Sequence, residues 1–164
     1  MKQPVAEAPG HADIVRIVAP NPGPMTLAGT NTYVVGSAPA WVIDPGPADD
    51  AHIAEVRDVA ESRGGIGGVV LTHSHLDHAA GVELLGAGLE LGNAAGFDDV
   101  AALTGTGPGE LPASPLAGER GQVGPFLAVA TPGHATDHLV FALVDPHAGG
   151  DIADGGPIVF CGDL

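Results

Sequence analysis

Apolar positions along this chain fall into short runs, and most runs have the period of one element. Residues 1–12 show no such period and read as a loose arm. Asp13 to Val18 reads as a first strand, and Pro20-Asn21-Pro22-Gly23-Pro24 as a rigid turn. Thr32-Tyr33-Val34-Val35 and Trp41-Val42-Ile43 read as paired strands, with Asp44-Pro45-Gly46-Pro47 stopping the second. Asp50 to Arg63 places Ile53, Val56 and Val59 at helical spacing, and Gly64-Gly65 ends that helix. Val69-Val70-Leu71 reads as a buried strand, and Ala79 to Leu85 as helical. Between Gly86 and Gly124 the pattern weakens, and Gly105-Thr106-Gly107-Pro108-Gly109 is low-complexity loop. Phe126–Ala130, Leu139–Val144 and Ile158–Phe160 are three further apolar runs. Strands mixed with helices predict an α/β or α+β fold, with one domain over residues 13–164.

Three of these strand ends carry unusual chemistry. Val69–Leu71 leads into His73-Ser74-His75-Leu76-Asp77-His78. Phe126–Ala130 leads into Thr131-Pro132-Gly133-His134, and Ile158–Phe160 into Cys161-Gly162-Asp163. Core packing has no use for so many imidazoles and carboxylates, which are ligands for zinc and similar divalent ions. His73 and His75 are two apart, so on extended backbone they point to one side. Asp77 and His78 fall where strand gives way to helix. One loop can therefore offer two histidines to one metal and an Asp-His pair to another. Ligands at the carboxyl ends of strands are how α/β proteins usually build sites. Pro132 with Gly133, and Gly162 before Asp163, would end their strands and swing the ligands inward.

Composition bounds the rest. The chain has 164 residues, 45% of them hydrophobic and 4% aromatic, so one core of small aliphatic residues is expected. Five basic residues against 20 acidic ones give a formal charge of −15. Such a surface repels nucleic acid and anionic membranes at long range and favours a neutral small-molecule substrate, or a site where metal charge reverses the local field. The single cysteine, Cys161, allows no disulfide within the chain and fits a cytoplasmic location. The amino-terminal residues lack an apolar signal core, and no apolar run approaches a membrane span.

Taken in order, His73-Ser74-His75-Leu76-Asp77-His78, Thr131-Pro132-Gly133-His134 and Gly162-Asp163 resemble the metallo-beta-lactamase superfamily. Gly29-Thr30-Asn31-Thr32-Tyr33 and Val42-Ile43-Asp44-Pro45-Gly46 are softer matches. The resemblance implies an αββα sandwich holding two metals, usually zinc, with iron or manganese as alternatives. It implies His73, His75 and His134 on the first metal, Asp77 and His78 on the second, and Asp163 between them. Asp77 is then also the catalytic carboxylate. A hydroxide shared by the metals would attack an ester, thioester, lactone or phosphodiester. The family uses one more histidine well downstream of the bridging Asp, so the chain is expected to lack the carboxyl-terminal part of the fold. Thr131 to His138, with Asn21-Pro22-Gly23-Pro24, is similar to the branch of the beta-lactamase-like endoribonuclease, beside glyoxalase II.

The alternatives are an endoribonuclease, which the charge disfavours, and a non-catalytic remnant that binds metal weakly. A flavodiiron role is disfavoured because that group usually has an acidic residue where His75 stands. His138 reads either as a group orienting a ligand or as a packed histidine, and Asp44 either as a ligand's carboxylate partner or as a turn cap. Cys161 reads as a core thiol. His11, His52 and His147 read as solvated, and Asp49-Asp50 and Asp98-Asp99 as solvated caps.

Overall fold

The computed structural model describes residues 6–8, 11–86, 120–143 and 158–163. The chain builds two sheets. The first runs in the order β1 (Ala6–Ala8), β2 (His11–Val18), β3 (Asn31–Val35), β4 (Ala40–Ile43), β5 (Ile66–Val70). The second runs β6 (Arg120–Val123), β7 (Phe126–Ala130), β8 (Leu139–Leu143), β9 (Val159–Phe160). Every neighbouring pair is antiparallel except β4 and β5, which are parallel and joined by helix α1 (Asp50–Ser62). A parallel pair needs such a crossover. Two short helices, α2 (Leu76–Ala79) and α3 (Gly81–Gly86), follow β5.

Strand alternation sorts the side chains into two cores. Ile14, Val35, Ile43 and Val70 face Phe126, Ala128, Leu139, Phe141 and Phe160 across the gap between the sheets. Val15, Ile17, Val34, Val42 and Val69 face the other way, onto Ile53, Val56 and Ala60 of α1 and Leu85 of α3. The aromatics of the inner core meet edge to face, Phe126 with Phe141 at 5.9 Å and with Phe160 at 6.0 Å. The layering is helix, sheet, sheet. Among the described residues no helix covers the outer face of the second sheet, where an αββα sandwich has its fourth layer.

The predicted elements correspond closely, with four differences, one being that β6 forms within the stretch where the pattern weakens. β2 begins at His11 and pairs with β1, so part of the expected arm is strand. Its backbone finds ladder partners that residues 1–12 alone do not announce. The helical segment after His78 breaks into α2 and α3. Leu71 lies beyond the end of β5. The loop at Gly105–Gly109 and the Asp98-Asp99 cap lie outside the described residues. Asp49 does cap α1, its carboxylate accepting from the His52 N–H at 2.8 Å. Among the described residues no helix is long and apolar enough to cross a membrane.

Candidate metal centre

The three ligand-bearing strand ends meet at one edge of the sandwich. His134 Nε2 lies 3.1 Å from His75 Nδ1 and 3.7 Å from Asp163 Oδ2. His78 Nε2 lies 3.5 Å from Asp77 Oδ2 and 3.6 Å from Asp163 Oδ1. His73 is central, its ring centroid 4.5 Å from that of His75, 4.3 Å from His78 and 5.0 Å from His134. All six residues singled out from the sequence therefore converge. Two overlapping sets can each offer donor atoms within 4.8 Å of one another: His73, His75 and His134, and His73, His78 and Asp163.

The surrounding hydrogen bonds set which nitrogen of each ring is free. Asp44 Oδ1 accepts from the Thr72 N–H at 2.7 Å, and Asp44 Oδ2 from the Thr72 hydroxyl at 2.7 Å. With its proton committed, the Thr72 oxygen accepts from His73 Nδ1–H at 3.1 Å. His73 Nε2 is thus a lone-pair donor, and it is buried with no hydrogen-bond partner. A buried polar atom so left is costly unless a ligand completes it. Asp44 Oδ2 also faces His78 Nδ1 at 2.9 Å, which turns the His78 Nε2 lone pair toward Asp77 and Asp163. Carboxylate and hydroxyl partners behind ligand imidazoles are a recurring way of fixing a metal-binding tautomer. The residues present fit divalent metal of the zinc type on donor chemistry alone.

Burial, aided by the charges of His78 and His75, drops His73 to about 4, so its ring is neutral near pH 7. Burial also lowers His78, but the hydrogen bond and charge of Asp44, then Asp77 and Asp163, outweigh it and raise the group. His78 thus keeps its proton to higher pH than a free imidazole, beside Asp44, Asp77 and Asp163.

The structure bears on the open readings of neighbouring residues. Asp44 is 4% exposed and tied to His78 and Thr72, so it backs a candidate ligand histidine rather than only capping a turn. His138 is 1% exposed, with Nδ1 against the Thr131 hydroxyl at 2.8 Å and Nε2 beside Gly162. Burial, then His134, pushes it down. His52 corrects an expectation: it is 3% exposed rather than solvated. The Thr32 hydroxyl donates to the Asp44 carbonyl at 2.7 Å and accepts from His52 Nε2 at 2.9 Å. The side chains of His11 and His147 lie outside the described residues. Cys161 is half-buried and lines a cavity rather than being enclosed in the core.

Two residues were missed. Asp137, 4% exposed, accepts from the Ser74 N–H at 3.0 Å and so ties the loop after β7 to the His73–His78 loop. Thr30, 5% exposed, donates its hydroxyl to Asp77 Oδ2 at 3.4 Å, while Asn21 holds the Thr30 backbone N–H at 2.9 Å. The motif Gly29-Thr30-Asn31-Thr32 was the available signal for Thr30.

Comparison with known proteins identifies the family. The profile of the Metallo-beta-lactamase superfamily matches residues 25–164. This chain belongs to the metallo-beta-lactamase superfamily. Among relatives, this superfamily member is 34% identical over 144 residues to the Beta-lactamase-like protein 2 homolog of Drosophila melanogaster, covering 80% of this chain and 49% of that protein. It is 38% identical over 143 residues to an Atrochrysone carboxyl ACP thioesterase of Aspergillus chevalieri, covering 82% of this chain and 43% of that protein. The chain thus spans about half the length or less of these relatives. The DIM-1 metallo-beta-lactamase crystal structure superposes with a TM-score of 0.58 at 20% identity, over 87% of this chain and 65% of that one. A metallo-beta-lactamase from Hirschia baltica gives 0.57 at 18% identity, over 85% and 66%. At such identities the metallo-beta-lactamase likeness speaks to fold.

Proposed function

We propose that the protein is a metal-dependent hydrolase acting on a small acyl substrate, a thioester or ester first among them. The observation that carries this reading is the convergence of His73, His75, Asp77, His78, His134 and Asp163, with His73 Nε2 buried and unpaired. His73, His75 and His134 would hold one ion, and Asp77 and His78 a second, with Asp163 serving both. Zinc fits the imidazole-rich set best, and iron or manganese would compete for it. Bound there, such ions supply an acidified water and polarise the scissile carbonyl.

The chain's own residues do the rest. Asp77 orients the attacking water and accepts its proton, steadied by the Thr30 hydroxyl. Asp44 and Thr72 keep His73 and His78 in the ligand tautomer. The thioester preference draws support from the relatives named as thioesterases. The charge of −15 argues against an RNA substrate. A cytoplasmic location fits the single cysteine.

The test is made on the full-length protein. Metal analysis should find two ions per chain, and thioester or lactone hydrolysis should vanish with chelator and return with zinc. A protein that keeps no metal after purification in zinc would overturn the reading.

A further inference from the structure

A cavity of about 550 Å³ opens beside the centre, with Asp77, His78 and Asp163 in its lining. Ile14, Ile43 and Phe160 give it an apolar wall. On that wall, directly opposite each other on β2 and β3, stand Arg16 and Tyr33. Tyr33 is half-buried and packs edge to face on Phe160 at 5.1 Å, while Arg16 is exposed.

Arg16 differs from Arg57 and Arg63. Arg57 donates to the Leu84 carbonyl at 2.7 Å and Arg63 to the Gly36 carbonyl at 3.2 Å, so both brace backbone. Among the described residues, none forms an ion pair or hydrogen bond with Arg16. A guanidinium stays charged at any working pH. In a chain of net charge −15, a cation kept on the wall of this cavity needs a reason. Burial raises the Tyr33 phenol above its ordinary value, with Arg16 pulling the other way and Cys161 and Asp44 adding to the rise. The phenol is therefore a protonated donor beside the cation.

We infer that Arg16 and Tyr33 form an anion subsite, so that the acyl part of the substrate ends in a carboxylate. The inference rests on the hydrolase reading and names its substrate class. One guanidinium and one phenol match a single negative charge. A phosphate dianion usually gathers more than one cation. The spacing is set by the strand. Thr30 touches Asp77, and Tyr33 lies three residues further along, roughly 10 Å at strand rise. The flexible Arg16 side chain shortens that span. An acyl chain of about six carbons bridges the rest, with its methylenes on the apolar wall. The chemistry is plain hydrolysis: the water oxygen bonds to the acyl carbon, the C–S bond breaks, and thiol and dicarboxylate leave.

The probe is a matched pair of N-acetylcysteamine thioesters, adipyl and hexanoyl, which differ in a terminal carboxylate against a methyl. The full-length, zinc-loaded enzyme should favour adipyl in kcat/KM by at least about tenfold, the size of a charge-assisted hydrogen bond. Arg16→Met should remove that preference, chiefly through KM, and leave hexanoyl turnover unchanged. Arg16→Lys should restore part of it. Equal rates for the pair in the wild type, or a preference that survives Arg16→Met, would overturn the subsite. If neither thioester is cleaved, the hydrolase reading fails separately, and calorimetry then decides the subsite. Adipate should bind the zinc-loaded protein more tightly than hexanoate, and Arg16→Met should abolish the difference. Equal binding, or inorganic phosphate binding more tightly than adipate in an Arg16-dependent way, counts against it.

Discussion

Asp44 does three jobs with one residue. Its φ of 49° places a non-glycine residue in the left-handed region, which costs roughly 1–3 kcal/mol. Its N–H donates to the Val70 carbonyl at 3.0 Å, and its own carbonyl accepts from Thr32. Its carboxylate is thereby aimed at Thr72 and His78. Asp44→Ala should therefore weaken metal binding by about 10–100-fold, as loss of a ligand's carboxylate partner usually does. Competitive chelator titration measures this, and unchanged affinity would remove Asp44 from the centre. Asp77→Asn should lower kcat by roughly 10²–10⁴ while the circular dichroism spectrum stays the same. His52 gives a pH prediction. Burial holds it below 6.5, against the opposing pull of the Pro45 carbonyl, Asp49 and Glu55. The unfolded chain then takes up the proton more readily than the folded one. Stability from this group is complete above about 6.5 and is lost as pH falls through the folded value. In chelator-treated protein, the urea midpoint of wild type should fall faster between about pH 7 and 5 than that of His52→Gln, which keeps a nitrogen donor toward Thr32. Parallel slopes would mean His52 is not protected.

At the scale of elements, three loops are locked to one another. Asp137 takes the Ser74 N–H, and the Leu139 N–H donates to the Thr72 carbonyl at 2.7 Å, so the start of β8 is tied to the end of β5. Gly162 turns with φ of 54° against Thr72 and His138, and a Cβ there would lie 2.6 Å from Thr72 Oγ1. Gly162→Ala should thus displace the turn carrying Asp163. Asp137→Ala should strand the Ser74 N–H at a cost of about 1–3 kcal/mol. Thermal melts and metal affinity of the two variants check both, and wild-type values in Asp137→Ala would show that the tie carries nothing. This scale also shows what could be read from the chain alone. The candidate ligands were legible because His73, His75, Asp77 and His78 crowd one loop, and His134 and Asp163 follow strand ends as they do. Asp137 was visible beside His134 but mute, because its partner Ser74 is 63 residues away. His52 was misread for the same reason: its sequence neighbours are polar, while the group that buries it, Thr32, sits 20 residues earlier on β3. Local pattern finds residues that act in clusters, and it misses those whose role is a single distant contact.

At the scale of the molecule, the centre joins the two sheets. His73–His78 follows β5 of the first sheet, whereas His134 and Asp163 follow β7 and β9 of the second. A metal shared among them would bind the folded chain and not the unfolded one, so it should raise stability by mass action. At about 1,000 times Kd that is roughly 4 kcal/mol, or a rise of about 10 °C in Tm for a chain of this size. The formal charge of −15 offers a rival cause, because any divalent cation relieves self-repulsion of an acidic surface. The two are separable. General screening should be reproduced by magnesium or by raised potassium chloride and should not depend on His73. Stabilisation through the centre should need zinc at low concentration, persist in 0.5 M salt to within about 2 °C because buried pairs are weakly screened, and disappear in His73→Asn. A zinc-induced rise of equal size in that variant would assign the effect to the surface.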